Sequence, residues 1–326
     1  AISNNEKVLI YGDYDVDGTT AVAMVWDFLN RYIEKLEYYI PSRHEEGYGI
    51  SIKGIDYAKE NEVSLIIALD CGIKAIKQVD YATKHGIDFI ICDHHKPDRD
   101  IPNAVSILNP KQSECSYPYK ELSGCGVGFK LIHAYSIRKK IPFADIKEYL
   151  DLLVVSIAAD VVPMTGENRV LAYYGLEQIN SNPRVGLTAL IRLADNFKKI
   201  TISDILFTLA PRINAAGRMK HAKDSVRVLI EKDPVIAKKI AKNIDESNKI
   251  RRDIEAKVTS EAIKKIDQNK KSTVVFSENW HPGVIGIVAS RLIENNYKPT
   301  VVLTKKDNIF IGSARSVEGF DLYDSI

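Results

Sequence analysis

The sequence predicts an α/β fold: a parallel-sheet domain, then a smaller α/β domain joined to it by a long helix. Three observations carry this. Short apolar, β-branched runs at 8–10, 65–69 and 89–92 alternate with stretches of helical periodicity, the grammar of βαβ units. Residues 234–266 are charged and proline-free after their start, which reads as one connecting helix. After Lys270 and Lys271 strand-like runs resume with STVVFSENW, so a second domain begins there. The expected boundaries are 1–200 for the first domain, 201–270 for the linking segment and long helix, and 271–326 for a second domain that is only partly present.

Composition bounds the reading. The chain has 326 residues, 45% hydrophobic and 27% charged, enough for a core and about two domains. Its formal net charge of +2 is too near zero to signal nucleic acid by itself, so an anionic partner must be met by local clusters. No apolar run approaches the ~20 residues of a membrane span, and no signal peptide is visible. Cys71, Cys92, Cys115 and Cys125 show neither C-x-x-C pairing nor zinc spacing, which suits thiols in a reducing cytosol. The chain opens at Ala1 almost directly on its first strand and stops at Ile326 soon after a new motif, so it is expected to be part of something longer.

The first element is the most informative. In KVLIYGDYDVDGTT, Val8, Leu9 and Ile10 lead to Gly12, and Asp13, Asp15 and Asp17 follow at alternate positions before a helical segment at 21–32. Carboxylates at the end of a parallel strand stand where open α/β sheets bind ligands. Three so close repel one another, and a divalent metal is the natural counter-charge. The D-x-D-x-D-G spacing also opens an EF-hand loop. That loop needs Glu at its twelfth position, where this chain has Met24, and a helix rather than a strand before it. No G-K-[ST] supports a P-loop.

A short strand at 38–41 leads into the polar loop SRHEEGYG with Arg43 and His44. SLIIALD delivers Asp70, with a helix following through Lys84, and IDFIICDHH delivers Asp93, His94 and His95. All three strands thus end in residue types that bind divalent metals. Residues 96–118 read as a loop. SGCGVGFKL suits either a phosphate cradle or, better, a closely packed helix start. An oily helix at 151–160 closes on Asp160, a costly position for a carboxylate unless it caps something or binds a charge. The pattern from 169 to 197 is helical. Arg212, Asn214 and Arg218 in LFTLAPRINAAGRM fall on a loop broken by Pro and Gly, either a solvated basic turn or an anion contact. In the second domain His281 stands at a strand-to-helix turn, and Ser313, Arg315 and Ser316 at a strand end, where backbone N–H groups, hydroxyls and a guanidinium can receive an anion.

Taken together, Asp13/Asp15/Asp17, Asp70, Asp93-His94-His95 and Asp160 resemble, in order and context, the four motifs of the DHH phosphoesterase superfamily. Within it the chain is similar to the RecJ-like single-strand exonuclease family. The marks are GDYDVDGTT, PSRHEEGYG, LDCGI, the DHH strand end, SGCGVGFK, ADVVPM, APRINAAGRM, WHPGVIGIVASRL and GSARS, which span nearly the whole chain. A later glycine/histidine motif and an OB-fold region usual in that family are absent.

The resemblance implies two Mn²⁺ or Mg²⁺ ions held by Asp15, Asp17, Asp70, His94 and Asp160, with His95 beside the scissile phosphate. Asp13 and Asp93 would orient the ligands. It further implies a DHH domain and a DHH-associated substrate-binding domain. The activity would be 5′→3′ hydrolysis of single-stranded DNA to 5′-mononucleotides in DNA repair and recombination, in the cytoplasm. Arg43, Ser313 and Arg315 would bind the terminal 5′-phosphate, and Arg212, Asn214, Arg218 and His281 would line the strand or the reacting phosphate. A helicase and a single-strand DNA-binding protein would be partners. The competing readings are a DHH nanoRNase or small-nucleotide phosphodiesterase, a non-catalytic replication scaffold of the same superfamily, and a phosphoacceptor domain using Asp70. The last leaves His94, His95 and Asp160 idle, and the scaffold would have lost ligands that are all filled here.

Overall fold

The computed structural model describes residues 1–194, 199–322, 324 and 325. The chain divides into two units, Ala1–Asp245 and Glu246–Ile326. The first opens with β1 (Val8–Gly12), α1 (Val16–Leu29), β2 (Leu36–Tyr39), α2 (Ile52–Glu60), β3 (Leu65–Leu69), α3 (Ile76–Lys84), β4 (Asp88–Cys92) and β5 (Ser106–Leu108). It continues with α4 (Gly124–Lys139), α5 (Leu150–Ala159), α6 (Gly166–Ser181) and α7 (Val185–Leu193). Then come α8 (Ile202–Asp204), a π-helical turn Ile205–Leu209, α9 (Ala210–Met219), α10 (Lys223–Ile230) and α11 (Pro234–Ile263), whose length crosses the unit boundary.

The strands form a parallel sheet in the order β2-β1-β3-β4-β5, with β1 and β3 side by side from Val8↔Leu65 to Gly12↔Leu69. Alternation decides which face each residue serves. Val8, Ile10, Ile67 and Leu69 belong to the core beneath α1, α4 and α5, whereas Leu9, Tyr11, Ile66 and Ala68 join the core that includes Ile55 of α2 and Val79 of α3. Burial of each such side chain stabilises the fold by about 1.5–3 kcal/mol. Strands covered on both faces must be apolar throughout, which is why they were legible as oily runs. Because β2 and β3 flank β1, the strand order reverses there, and ligands of doubly wound sheets sit at the carboxyl ends beside such a point.

Four expectations need correction. Helix α1 starts at Val16, so Asp17 lies in its first turn and Asp15 is its N-cap, accepting from the Gly18 N–H at 2.9 Å. The expected loop at 96–118 contains β5, a three-residue edge strand too short to show a period of two. The helical stretch from 169 is two helices, α6 and α7, parted at Asn182-Pro183, where proline removes a donor and disfavours helix in the residue before it; its expected end at Phe197 lies outside the described residues. The expected loop around Arg212, Asn214 and Arg218 is helix α9. Pro211 falls in its first turn, where a missing N–H costs nothing, and Gly217 allows close approach to the Tyr14 carbonyl, 3.0 Å from where a Cβ would stand.

The second unit holds the C-terminal part of α11, β6 (Thr273–Phe276), α12 (Ile285–Asn295), β7 (Thr300–Lys306) and β8 (Ile309–Arg315). β6 and β7 are parallel and β7 and β8 antiparallel. Val258 and Ala262 of α11 pack with Val288, Ala289 and Leu292 of α12 in its core. Among the described residues no helix is long and apolar enough to cross a membrane.

Candidate metal centre

The carboxyl ends of β1, β3 and β4 and the end of α5 deliver acidic and imidazole groups to one place. His94 is buried, and its Nε2 lies 3.2 Å from Asp70 Oδ1, 3.6 Å from Asp160 Oδ2 and 3.7 Å from Asp17 Oδ2. Asp70, His94 and His95 form one potential metal-holding triad, and Asp17, His94 and Asp160 a second, so His94 is common to both. Asp15 lies close enough that its charge helps to raise Asp70 and Asp160. Of the five expected metal ligands, Asp17, Asp70, His94 and Asp160 share these two triads, and Asp15 stands beside them as the N-cap of α1. Among the described residues no lysine or arginine pairs with Asp17, Asp70 or Asp160; their basic neighbour is the His94 imidazole.

Local chemistry explains the placement. Gly18 lets α1 turn back onto its own loop, because a Cβ there would stand 2.4 Å from the Asp13 carbonyl oxygen. Asp70 takes the left-handed conformation at φ 59°, tolerated by Asp better than by most residues, and its N–H is held by the Cys92 carbonyl at 2.9 Å. Val161, directly after Asp160, also has positive φ (55°), and this β-branched outlier ends α5.

Asp93 does not enter either triad. Its Oδ1 accepts from His94 N–H, His95 N–H and His95 Nδ1, the last at 2.7 Å, and its Oδ2 accepts from Ile73 N–H. The bond at Nδ1 leaves His95 Nε2 facing outward, where the Tyr48 hydroxyl meets it at 3.0 Å. Asn109 holds the His95 carbonyl. Asp13, 1% exposed, feels the Tyr14 and Gly49 backbone and the charge of Arg43, all of which favour its charged form, and Arg43 stacks on Tyr14 at 5.0 Å. Asp93 thus fixes the two histidines, while Asp13 acts on the centre through its charge.

The electrostatics are those of a site built for a cation. Burial first, then the neighbouring carboxylates, raise Asp70 well above the usual range; the same two causes push Asp13 up to about 8 and Asp160 up to about 7. Burial lowers His94, leaving a neutral imidazole with a lone pair to donate. Burial would also lower His95, but the hydrogen bond and charge of Asp93 outweigh it and its pKa is raised. The donor set tests the metal directly: Asp13 Oδ1, Asp70 Oδ1 and both ring nitrogens of His94 are buried without a hydrogen bond, Nε2 despite its carboxylate neighbours. Buried orphans of this kind are costly, and mixed carboxylate and imidazole donors fit Mn²⁺ or Mg²⁺.

This arrangement has a measurable consequence. Folded pKa values near 8 and 7 for Asp13 and Asp160 lie above the unfolded value near 3.9, so the folded chain keeps protons that the unfolded chain has released. Stability without metal therefore falls as pH rises from about 4 to about 8. The melting temperature of the metal-free protein should drop across that window, and Mn²⁺ at pH 8 should restore it. A melting temperature that rose with pH would contradict the arrangement.

The other expected site residues are described each in its own unit. Arg212 is half-buried on α9, paired with Asp245 at 3.0 Å and bonded to the Thr208 carbonyl; Asn214 is half-buried on the same helix. The Arg218 carbonyl meets His44 Nε2 at 3.0 Å. In the second unit Arg315 donates to Ser313 Oγ, Ser290 Oγ and the Gly286 carbonyl, and His281 Nδ1 accepts from Gly283 N–H. Ser290, Tyr48, Ser123 and Ser156 escaped the sequence reading. For Tyr48 a signal existed, the GYG loop beside Arg43; for Ser156, inside an oily helix, there was none.

Residues 7–157 match the DHH family, N-terminal domain, and residues 269–326 the DHHA1 domain. A crystal structure of exonuclease RecJ bound to manganese is 30% identical and superposes with a TM-score of 0.88 over 99% of this chain and 81% of that one. The chain belongs to the RecJ family of DHH phosphoesterases. The single-stranded-DNA-specific exonuclease RecJ of Bacillus subtilis is 41% identical over 100% of this RecJ-family chain and 42% of its own length. RecJ from Thermus thermophilus in complex with Mg²⁺ is 26% identical, with a TM-score of 0.79 over all of this chain and 44% of that one. This RecJ-family chain spans between 42% and 60% of the length of the curated RecJ proteins it matches.

Proposed function

We propose that this chain carries the catalytic part of a metal-dependent 5′→3′ exonuclease that hydrolyses single-stranded DNA to 5′-mononucleotides in DNA repair and recombination. The observation that supports it is the convergence of three carboxylates on His94 Nε2, with no lysine or arginine paired to them among the described residues, in a chain similar over 99% of its length to an exonuclease bound to manganese. Asp15, Asp17, Asp70, His94 and Asp160 would hold two Mn²⁺ or Mg²⁺ ions. Bound there, the ions supply Lewis acidity and a water acidic enough to ionise near neutral pH.

The chain's own groups do the rest. His95, fixed by Asp93 and held toward its protonated form, presents Nε2 to the charge that develops on the phosphate. Tyr48 shares that edge. Arg43, Ser313 and Arg315 would bind the 5′-terminal phosphate and so set polarity; Ser290 and Gly286 orient the Arg315 guanidinium. With Arg212 already held by Asp245, its part is to fix α9, which carries Asn214 and Arg218 beside the strand; His281 would meet the reacting phosphate. In domain terms, 1–200 would perform the chemistry, 201–270 connect, and 271–326 grip the substrate end. A helicase opening the duplex and a single-strand-binding protein would supply the substrate.

A long single strand labelled at one end, incubated with Mn²⁺ or with EDTA, tests reaction and polarity together. Stepwise release of mononucleotides from the 5′ end, with metal only, is the expected result. Survival of the strand while dinucleotides are cut would shift the reading to a nanoRNase. Arg315→Ala is expected to raise KM for a 5′-phosphorylated strand by about tenfold or more, the value of one charge-assisted hydrogen bond, and to leave a 5′-hydroxyl strand nearly unaffected. Equal losses on both would remove Arg315 from the terminal-phosphate role.

A further inference from the structure

Asp17 differs from the other carboxylates of the centre in how its oxygens are engaged. Oδ1 accepts from the Cys125 N–H at 2.8 Å and the Ser156 hydroxyl at 2.7 Å. Oδ2 accepts from the Gly124 N–H at 2.6 Å. An ionised carboxylate offers about four lone-pair positions, so the protein occupies all but one. The position left is on Oδ2, the oxygen 3.7 Å from His94 Nε2. Asp70, by contrast, keeps Oδ1 without a hydrogen bond.

The direction of the hydrogen bonds behind Asp17 follows from proton counting. Ser156 has one hydroxyl proton and gives it to Asp17. Its 2.6 Å contact with Ser123 therefore has Ser123 as the donor. Ser123 is in turn the N-cap of α4, accepting from the Gly126 N–H at 3.1 Å. Both serines are fully buried, so no solvent competes for these bonds. The amino terminus of α4, a 16-residue helix, points its N–H groups and dipole at the same carboxylate. Three donors from two helices hold Asp17 in one orientation.

We propose that this donor cage selects the metal: it restricts Asp17 to single-point ligation through Oδ2 and thereby favours small octahedral ions, Mg²⁺ or Mn²⁺, over Ca²⁺. Calcium takes 6–8 oxygens and uses bidentate carboxylates readily, whereas magnesium demands near-ideal octahedral geometry. Ser156 is a positioning residue in this scheme, acting only through Asp17. The proposal rests on the metal-centre reading above.

The test is calorimetric titration of the metal-stripped chain with Mn²⁺ and with Ca²⁺ at pH 8. Ser156→Ala frees one position on Oδ1, so the preference for Mn²⁺ over Ca²⁺ should fall about tenfold, within the range seen when a ligand's supporting hydrogen bond is removed. Ser156→Thr keeps the hydroxyl and should keep the preference. Should the alanine variant not fold, Ser156→Cys, a weaker donor of similar size, is expected to move the ratio the same way. If the variant weakens both ions equally, or changes neither, the selectivity role is overturned and the metal centre stands. If the wild-type chain binds neither ion, the metal-centre reading falls and takes this proposal with it.

Discussion

Replacing Asp70 with Asn should cut the proposed nuclease turnover by roughly a thousandfold or more while making the metal-free protein more stable. The first effect follows from the loss of an anionic group beside His94, where several kcal/mol of transition-state charge stabilisation are assembled, each ~1.4 kcal/mol being a factor of ten. The second follows from repulsion. Burial and the charges of Asp17, Asp15, Asp13 and Asp93 all oppose ionisation of Asp70, and an amide of the same size carries no charge to oppose. Asn also tolerates the positive φ at this position. At pH 8 the variant should melt higher, by about 2–4 °C for each kcal/mol of repulsion removed. Activity and metal-free melting curves on the same preparation decide the matter. A variant both inactive and less stable would mean that Asp70 serves the fold.

The second large effect is expected from one methyl group. A Cβ on Gly124 would stand 2.5 Å from Asp70 Cβ and Oδ1. Asp70 cannot withdraw easily, since its backbone N–H is bonded to Cys92 and its φ is already unusual. If α4 retreats instead, the Gly124 and Cys125 N–H groups leave Asp17. Either way Gly124→Ala should weaken Mn²⁺ binding by about 10–100-fold, as loss of an ordering contact does. Gly128→Ala, four residues on in the same helix, meets the side-chain tips of Leu69 and Val25 at 3.3 Å and of Met24 at 3.5 Å, and should bind Mn²⁺ almost as the wild type does. Equal affinities for the two variants would show that Gly124 is there for helix packing alone.

The contrast between those glycines shows where sequence reasoning reaches its limit. SGCGVGFK was readable from its glycines as a closely packed helix start, and the structure adds Ser123 as the cap of that helix. That the helix would aim at two carboxylates, and that its first glycine alone would be pressed against Asp70, depends on how α4 packs. Arg212, Asn214 and Arg218 illustrate the opposite error. Proline and glycine suggested a loop, and the chain answered with a π-helical turn that places Pro211 in the first turn of α9, where its ring is harmless.

Residues 8–10, 65–69 and 89–92 determined their own strands, since apolar β-branched runs of that length are stable only when both faces are covered. Those strands in turn determined that Asp13, Asp70 and Asp93-His94-His95 would gather at one edge, because parallel strands end on the same side. Tertiary structure decided what the gathering could do. Asp17 draws its donors from residues 107, 108 and 139 positions away in the chain, and His94 meets Asp160 at the end of an oily helix. No local pattern encodes those pairings. They arise because α4 and α5 pack together with α1 on one face of the sheet, and helix packing is set by the summed burial of many side chains rather than by the few that form the site.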